Sequence, residues 1–178
     1  LPFGQELLHQ VRRGRRQKAR RHFFPRKLGN DPVPSDHAAV RRLAQPSGVA
    51  LHQGKLFVAD TGAGGIAVFD LVRKRYSFFA GNGGGRLKRP INIRVDADGT
   101  RYVTDTGRDQ ILVYDRDDRF LRAFGSQGQF RPVDVAIGGN RLYVTDIAHH
   151  EIQVLDKGTG KLLHKFGKSG SGPGELFH

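Results

Sequence analysis

The fold class the sequence predicts is all-β: a β-propeller of four-stranded antiparallel blades, its ring incomplete, preceded by a basic N-terminal arm. Three observations predict it. Residues 46–178 repeat, with Pro46, Pro90 and Pro132 opening units spaced 44 and 42 residues apart. Each unit carries the same landmarks at the same offsets. These are Val58-Ala59-Asp60, Val103-Thr104-Asp105 and Val144-Thr145-Asp146, a second aspartate ten residues on (Asp70, Asp115, Asp156), and a glycine 35 residues after the proline (Gly81, Gly125, Gly167). Between the landmarks, apolar residues alternate with period two in four short runs divided by turn residues, and no stretch suits a helix of useful length. Four short strands recurring every forty-odd residues are a propeller blade.

From the N-terminus, Arg12, Arg13, Arg15, Arg16, Lys18, Arg20, Arg21, Arg26 and Lys27 stand with no acid between positions 11 and 28. Charge of one sign at this density opposes compaction, so the segment reads as a solvated arm. Arg12, Arg13, Arg15, Arg16, Lys18, Arg20 and Arg21 are its candidates for docking on an acidic partner, on nucleic acid or on lipid headgroups. His22, Phe23 and Phe24 interrupt the charge and begin an expected strand ending at Leu28, the outer strand of a preceding blade. Pro32 and Pro34 make an extended linker. Ser35 or Asp36 then caps one or two expected helical turns over 37–43, ended before Pro46. The organisation is therefore arm and insert over 1–45, blades over 46–89 and 90–131, and a blade with a linker to a next one over 132–178.

The central unit sets the pattern. Its expected strands are 91–95, 100–104, 110–114 and 120–124, joined at Asp98-Gly99, Thr106-Gly107 and Asp117-Asp118, which are hairpin residues. Asp60, Asp105 and Asp146 recur at one position of each blade, so they are expected to accept backbone N–H bonds in the turn after the second strand rather than to form a carboxylate cluster. Asp70, Asp115 and Asp156 read the same way at the next turn.

Composition excludes much. The chain has no Cys, which removes disulfides, zinc–thiolate sites, c-type haem attachment and cysteine nucleophiles. No apolar run is long enough to span a membrane, and no signal segment is visible. The first residue is Leu1 and there is no Met. With about three blades present, the expectation is a piece of a longer gene product, or a ring closed by further copies or another subunit, because an open arc exposes apolar blade faces. The net charge of +13 is uneven, +8 over residues 1–45 and +5 over 46–178.

The runs Pro46-Ser47-Gly48-Val49-Ala50, Lys55-Leu56-Phe57-Val58-Ala59-Asp60-Thr61 and Ile66-Ala67-Val68-Phe69-Asp70 resemble the NHL repeat, and the stretch after Phe166-Gly167 resembles the linker joining one NHL repeat to the next. The resemblance covers residues 46–178. It implies a propeller that typically has six blades. Residues 20–45 are similar, more weakly, to bacterial envelope NHL proteins, which implies an extracytoplasmic location: periplasm, cell envelope or extracellular. Some NHL domains bind single-stranded RNA on a basic propeller face. One similar enzyme, a peptidyl-α-hydroxyglycine lyase, holds zinc through histidines just after the opening proline of its repeats. Here those positions are Ser47, Ile91 and Val133.

No catalytic triad, phosphate loop or acid/base pair stands out, and Gly81-Asn82-Gly83-Gly84-Gly85 precedes no helix. The third loop breaks the Thr-Gly that follows Asp60 and Asp105, having Ile147-Ala148 after Asp146, and its His149 and His150 are candidate binding residues, although no spaced carboxylate or third histidine stands out beside them as a metal ligand. The function expected is a non-enzymatic, cofactor-free protein-binding or scaffold module. The alternatives are a single-stranded RNA-binding module and a metal-dependent lyase or hydrolase on the same scaffold. In each case function belongs where the units differ: the arm, residues 81–89 and residues 147–150.

Overall fold

The computed structural model describes residues 42–167, and the arm, the expected strand from His22 and most of the expected helical turns lie outside them. Twelve strands form three four-stranded antiparallel sheets, each in simple meander order. The first blade is β1 (Pro46–His52), β2 (Lys55–Asp60), β3 (Gly65–Asp70) and β4 (Arg75–Phe79). The second is β5 (Pro90–Val95), β6 (Arg101–Asp105), β7 (Gln110–Tyr114) and β8 (Phe120–Phe124). The third is β9 (Pro132–Gly138), β10 (Arg141–Asp146), β11 (Glu151–Asp156) and β12 (Leu162–Phe166). The blades are those of a propeller and do not close into a ring. A single 3₁₀ turn at Gly83–Gly85 is the other regular element among the described residues.

Hairpin chemistry fixes the register. Gln53 and Gly54 both have positive φ, 45° and 72°, the two-residue turn that suits the twist of paired strands. Blades meet face to face. Phe57, Ala59, Ile66, Val68 and Phe79 of the first pack on Ile93, Val103, Leu112 and Tyr114 of the second, with Leu87 from the linker plugging the seam. The other side of the second blade, Tyr102, Ile111, Val113 and Phe124, packs on Val135, Leu142, Val144 and Leu155 of the third, and there the plug is Phe130. Alternate residues of one strand thus serve two interfaces, which is why β6 and β7 are buried almost throughout. The inner strands come close enough that a Cβ on Gly48 would lie 2.5 Å from Asn92 Oδ1. The side of the third blade away from the second carries Tyr143, Val154, His164 and Phe166, which line a cleft of about 370 Å³.

One core position breaks the pattern. Leu56 and Leu142 occupy the offset that Arg101 fills in the second blade, four residues before the shared aspartate. Arg101 is buried between the first two blades, its guanidinium 4.8 Å from the Phe57 ring centroid and 5.7 Å from that of Phe79. Nη1 donates to Asp118, Nη2 donates to the Arg116 carbonyl at 2.8 Å, and Nε has no partner. Burial pushes its pKa down to about 10. An ion pair of this kind is often no more stabilising than an apolar side chain of similar volume. Arg101→Leu is therefore expected to leave stability unchanged or raise it, whereas Arg101→Ala costs about 2–3 kcal/mol through the cavity it leaves. Urea unfolding midpoints measure both, and a Leu variant that loses more than about 1 kcal/mol contradicts this account.

Candidate functional site

The loops that follow β2, β6 and β10 share one face with the linkers that enter each blade, and the shared aspartate joins the two. Asp60 accepts from the amides of Ala44 (2.7 Å, at Oδ2), Gln45 and Ala63. Asp105 accepts from those of Lys88 (2.6 Å, at Oδ2), Arg89 and Gly107. Each carboxylate pins both the incoming linker and the following turn, a wider role than the turn alone. The turns are equivalent as well: Gly64, Asp109 and His150, each four residues past its aspartate, have positive φ of 67°, 55° and 56°.

The third blade departs from this arrangement. Asp146 Oδ1 still accepts from the Arg131 and Ala148 amides at 2.9 Å. Oδ2, which in the sister blades holds a second linker amide, instead meets His149 Nδ1 at 2.7 Å and accepts from Gln153 Nε2 at 3.0 Å. The cause lies in the linker, which runs seven residues from Gly125 to Pro132 against nine from Gly81 to Pro90. With two residues fewer, Phe130 must do the plugging that Leu87 does in the longer linker, and it stands where Lys88 would donate its amide. Gln153 Nε2 also donates to Glu151 Oε1 at 3.2 Å, and Lys165 Nζ lies 3.1 Å from Glu151 Oε2. Desolvation works to raise the Asp146 pKa, but the Arg131 amide, His149 and the Ala148 amide outweigh it, and the carboxyl lies below the usual range.

At the opposite end, in or beside the hairpins, carboxylates and cations alternate: Asp70, Asp96, Asp98, Asp115, Asp117, Asp118 and Asp156 stand among Arg73, Lys74, Arg75, Arg116, Arg119, Lys157 and Lys161. On the loop-and-linker face Asp60, Asp105 and Asp146 are buried, and Asp109, 17% exposed, lies 3.5 Å from Arg131. Arg86, Lys88, Arg89 and Arg131 are exposed there. Arg108 joins them, its Nη1 donating to the Arg86 carbonyl at 2.8 Å. The solvent-exposed charge of this face is therefore mostly positive. Phe130, beside Arg131, is 2% exposed, whereas Phe166 at the end of β12, opposite Ile152, is 47% exposed.

Of the residues singled out in the sequence, Arg12, Arg13, Arg15, Arg16, Lys18, Arg20 and Arg21 lie outside the described residues. His149 stands at the cluster just described. His150 occupies the left-handed turn position and is not part of that cluster. In sequence the histidine pair has no obvious carboxylate partner, but folding supplies two. Asp146, His149 and Glu151 bring one ligand atom each within 4.8 Å of one another. Glu151 and Gln153 carry no sequence signal beyond their departure from the sister blades, which have Gly65 and Ala67 or Gln110 and Leu112 there. Ser47, at the position of the lyase histidines, donates instead to the Ile91 carbonyl at 2.8 Å.

No family model matches the chain. Over 135 residues it is 32% identical to the protein brain tumor of Drosophila melanogaster, a match covering 72% of this chain and 13% of that protein. Among solved structures it is similar to virginiamycin B lyase from Staphylococcus aureus, with a TM-score of 0.57 at 13% identity over 70% of this chain and 42% of the lyase. It is also similar to a chain of the nidogen/laminin complex, with a TM-score of 0.58 at 19% identity over 70% of this chain and 48% of that one. The chain thus spans about an eighth of the length of the brain tumor protein and less than half of either solved chain. With the twelve strands in hand, these likenesses identify the fold as an NHL-type β-propeller. No helix among the described residues is long and apolar enough to cross a membrane.

Proposed function

We propose that the chain is a non-catalytic binding module of a larger assembly, and that it docks an acidic protein surface on the face bearing Arg86, Lys88, Arg89, Arg108 and Arg131. The observation that carries this reading is a group of exposed cations without exposed acids among them: Arg86, Lys88, Arg89 and Arg131 reach solvent, whereas the carboxylates of Asp60, Asp105 and Asp146 beside them are buried in structural bonds. Such a field steers and orients an acidic partner. A second reading, single-stranded RNA, draws on the same field and on phosphate neutralisation. The protein partner is favoured because no exposed Phe or Tyr is interleaved with Arg86, Lys88, Arg89, Arg108 and Arg131, the exposed Phe166 standing on the outermost strand of the third blade, and base stacking usually supplies much of the affinity for single strands.

The test is capture on the immobilised protein with and without ribonuclease, beside a variant carrying Arg86→Gln, Lys88→Gln and Arg89→Gln. The expected result is an acidic protein retained after ribonuclease treatment and bound roughly tenfold more weakly by the triple variant, with strong dependence on salt. Loss of all bound material on ribonuclease treatment would replace the first reading with the second. Retention by the triple variant at full strength would remove the face from both.

A further inference from the structure

The polar group at the start of β11 has no structural duty that the sister blades need. Where the third blade has His149, Glu151 and Gln153, the first has Ala63, Gly65 and Ala67, and the second has Arg108, Gln110 and Leu112. Asp146 has a side-chain exposure of 0% and Glu151 of 10%, so two carboxylates are buried side by side. That arrangement is costly without a compensating cation. The ion-pair partner of Glu151 is Lys165, itself 58% exposed. Asp146 Oδ2, bound to a linker amide in both sister blades, is here released from the backbone and turned towards His149 and Glu151.

We propose that Asp146, His149 and Glu151 form a binding site for a divalent transition-metal ion, with zinc the best match. An imidazole nitrogen with carboxylate oxygens is a borderline-soft set that suits zinc better than calcium or magnesium, which take oxygen ligands. Zinc about 2.0–2.2 Å from each ligand needs donors roughly 3.4 Å apart. Asp146 Oδ2 and His149 Nδ1 stand 2.7 Å apart, and one ligand atom from each of the three residues lies within 4.8 Å of the others, a spread that brackets this spacing. The His149 side chain is 48% exposed and has room to turn. It would bind as the tautomer with its proton on Nε2, leaving the Nδ1 lone pair for the metal. Gln153 Nε2 lies 3.0 Å from one carboxylate and 3.2 Å from the other, its amide hydrogens filling the place of a cation. A half-turn of that amide offers Gln153 Oε1 as a fourth donor.

The site does not rest on the ligand proposed for the basic face, and its test needs no such ligand. The full chain, stripped with a chelator, is equilibrated with zinc chloride by dialysis, and retained metal is counted by elemental mass spectrometry. Cobalt(II) absorption in the visible reports the geometry. The chain has eight histidines, so variants decide the location. The expected result is one zinc per chain in the unaltered protein and in His150→Ala. His149→Ala and Glu151→Gln should retain less than a tenth of that while keeping the strand circular dichroism, and the cobalt band should vanish with them. No zinc on the unaltered chain, or unchanged stoichiometry in His149→Ala, overturns the proposal.

Discussion

Asp105→Ala is expected to destabilise the protein by about 3 kcal/mol, read as a fall in the urea midpoint at constant slope. The carboxylate is fully buried and accepts from the Lys88 and Arg89 amides at 2.6 and 2.9 Å and from Gly107 at 2.9 Å. Removing it strands three backbone donors, and an unsatisfied buried donor costs about 1–3 kcal/mol. Water reaching the partly exposed linker recovers some of this, which puts the total near the low end for three donors. Asp105→Asn keeps one oxygen but turns an N–H towards an amide that needs an acceptor, so roughly half of the loss is expected there. Because the Lys88 and Arg89 backbone is what Asp105 fixes, the alanine variant should also weaken ligand binding on the basic face before the blades unfold. A loss below about 1 kcal/mol in Asp105→Ala would mean that the linker is held by its neighbours rather than by the carboxylate.

The scaffold was legible because a propeller writes each structural need three times. Pro90, Asp105 and Gly125 recur with their counterparts at fixed offsets, and the period-two runs between them yield strands within a residue of those observed. The small errors are local. The second strand of the central blade starts at Arg101 rather than Thr100, because the Thr100 amide is drawn into the turn by Asp98 Oδ1 at 2.9 Å. The first starts at Pro90, where a bulge lets a residue without an N–H join the ladder.

The site was less legible, and for a different reason. Arg101 looks in sequence like any strand arginine, and only the neighbouring blade makes it a buried one. Glu151 and Gln153 look like the polar beats of an alternating strand, but β11 turns Gln153 to the side shared with the second blade, beside Val144. The basic face is hidden by averaging, since net charge counts the buried Asp60, Asp105 and Asp146 equally with the exposed Arg86, Lys88, Arg89 and Arg131. What a single sequence does not display is which residues folding brings together: the charged face gathers linkers of different blades, and the β10–β11 turn closes Asp146, His149 and Glu151 on one another within a single blade.

Gly125→Ala should be comparably damaging, at about 3 kcal/mol, and the reason can be separated into two parts. Gly125 has φ of +87°, where an L side chain costs about 1–2 kcal/mol. Its Cβ would also strike the ring of Phe130 at Cε1. Phe130 cannot retreat, because it is 2% exposed and packed in the second core cluster as the plug of the shortened linker. Forcing it aside adds an overpacking cost of about 1–3 kcal/mol. Gly128 is the control: its φ is +79°, but nothing lies within 4 Å of the added Cβ, so Gly128→Ala bears the backbone cost alone. The excess of Gly125→Ala over Gly128→Ala in urea unfolding measures the collision. Pairing Gly125→Ala with Phe130→Leu should return part of that excess, since the smaller side chain leaves space for the methyl group. Equal losses in the two glycine variants would show that Phe130 yields freely and that the short linker is not clamped by its plug. Asp146 would then owe its diverted oxygen to something other than the position Phe130 is forced to take.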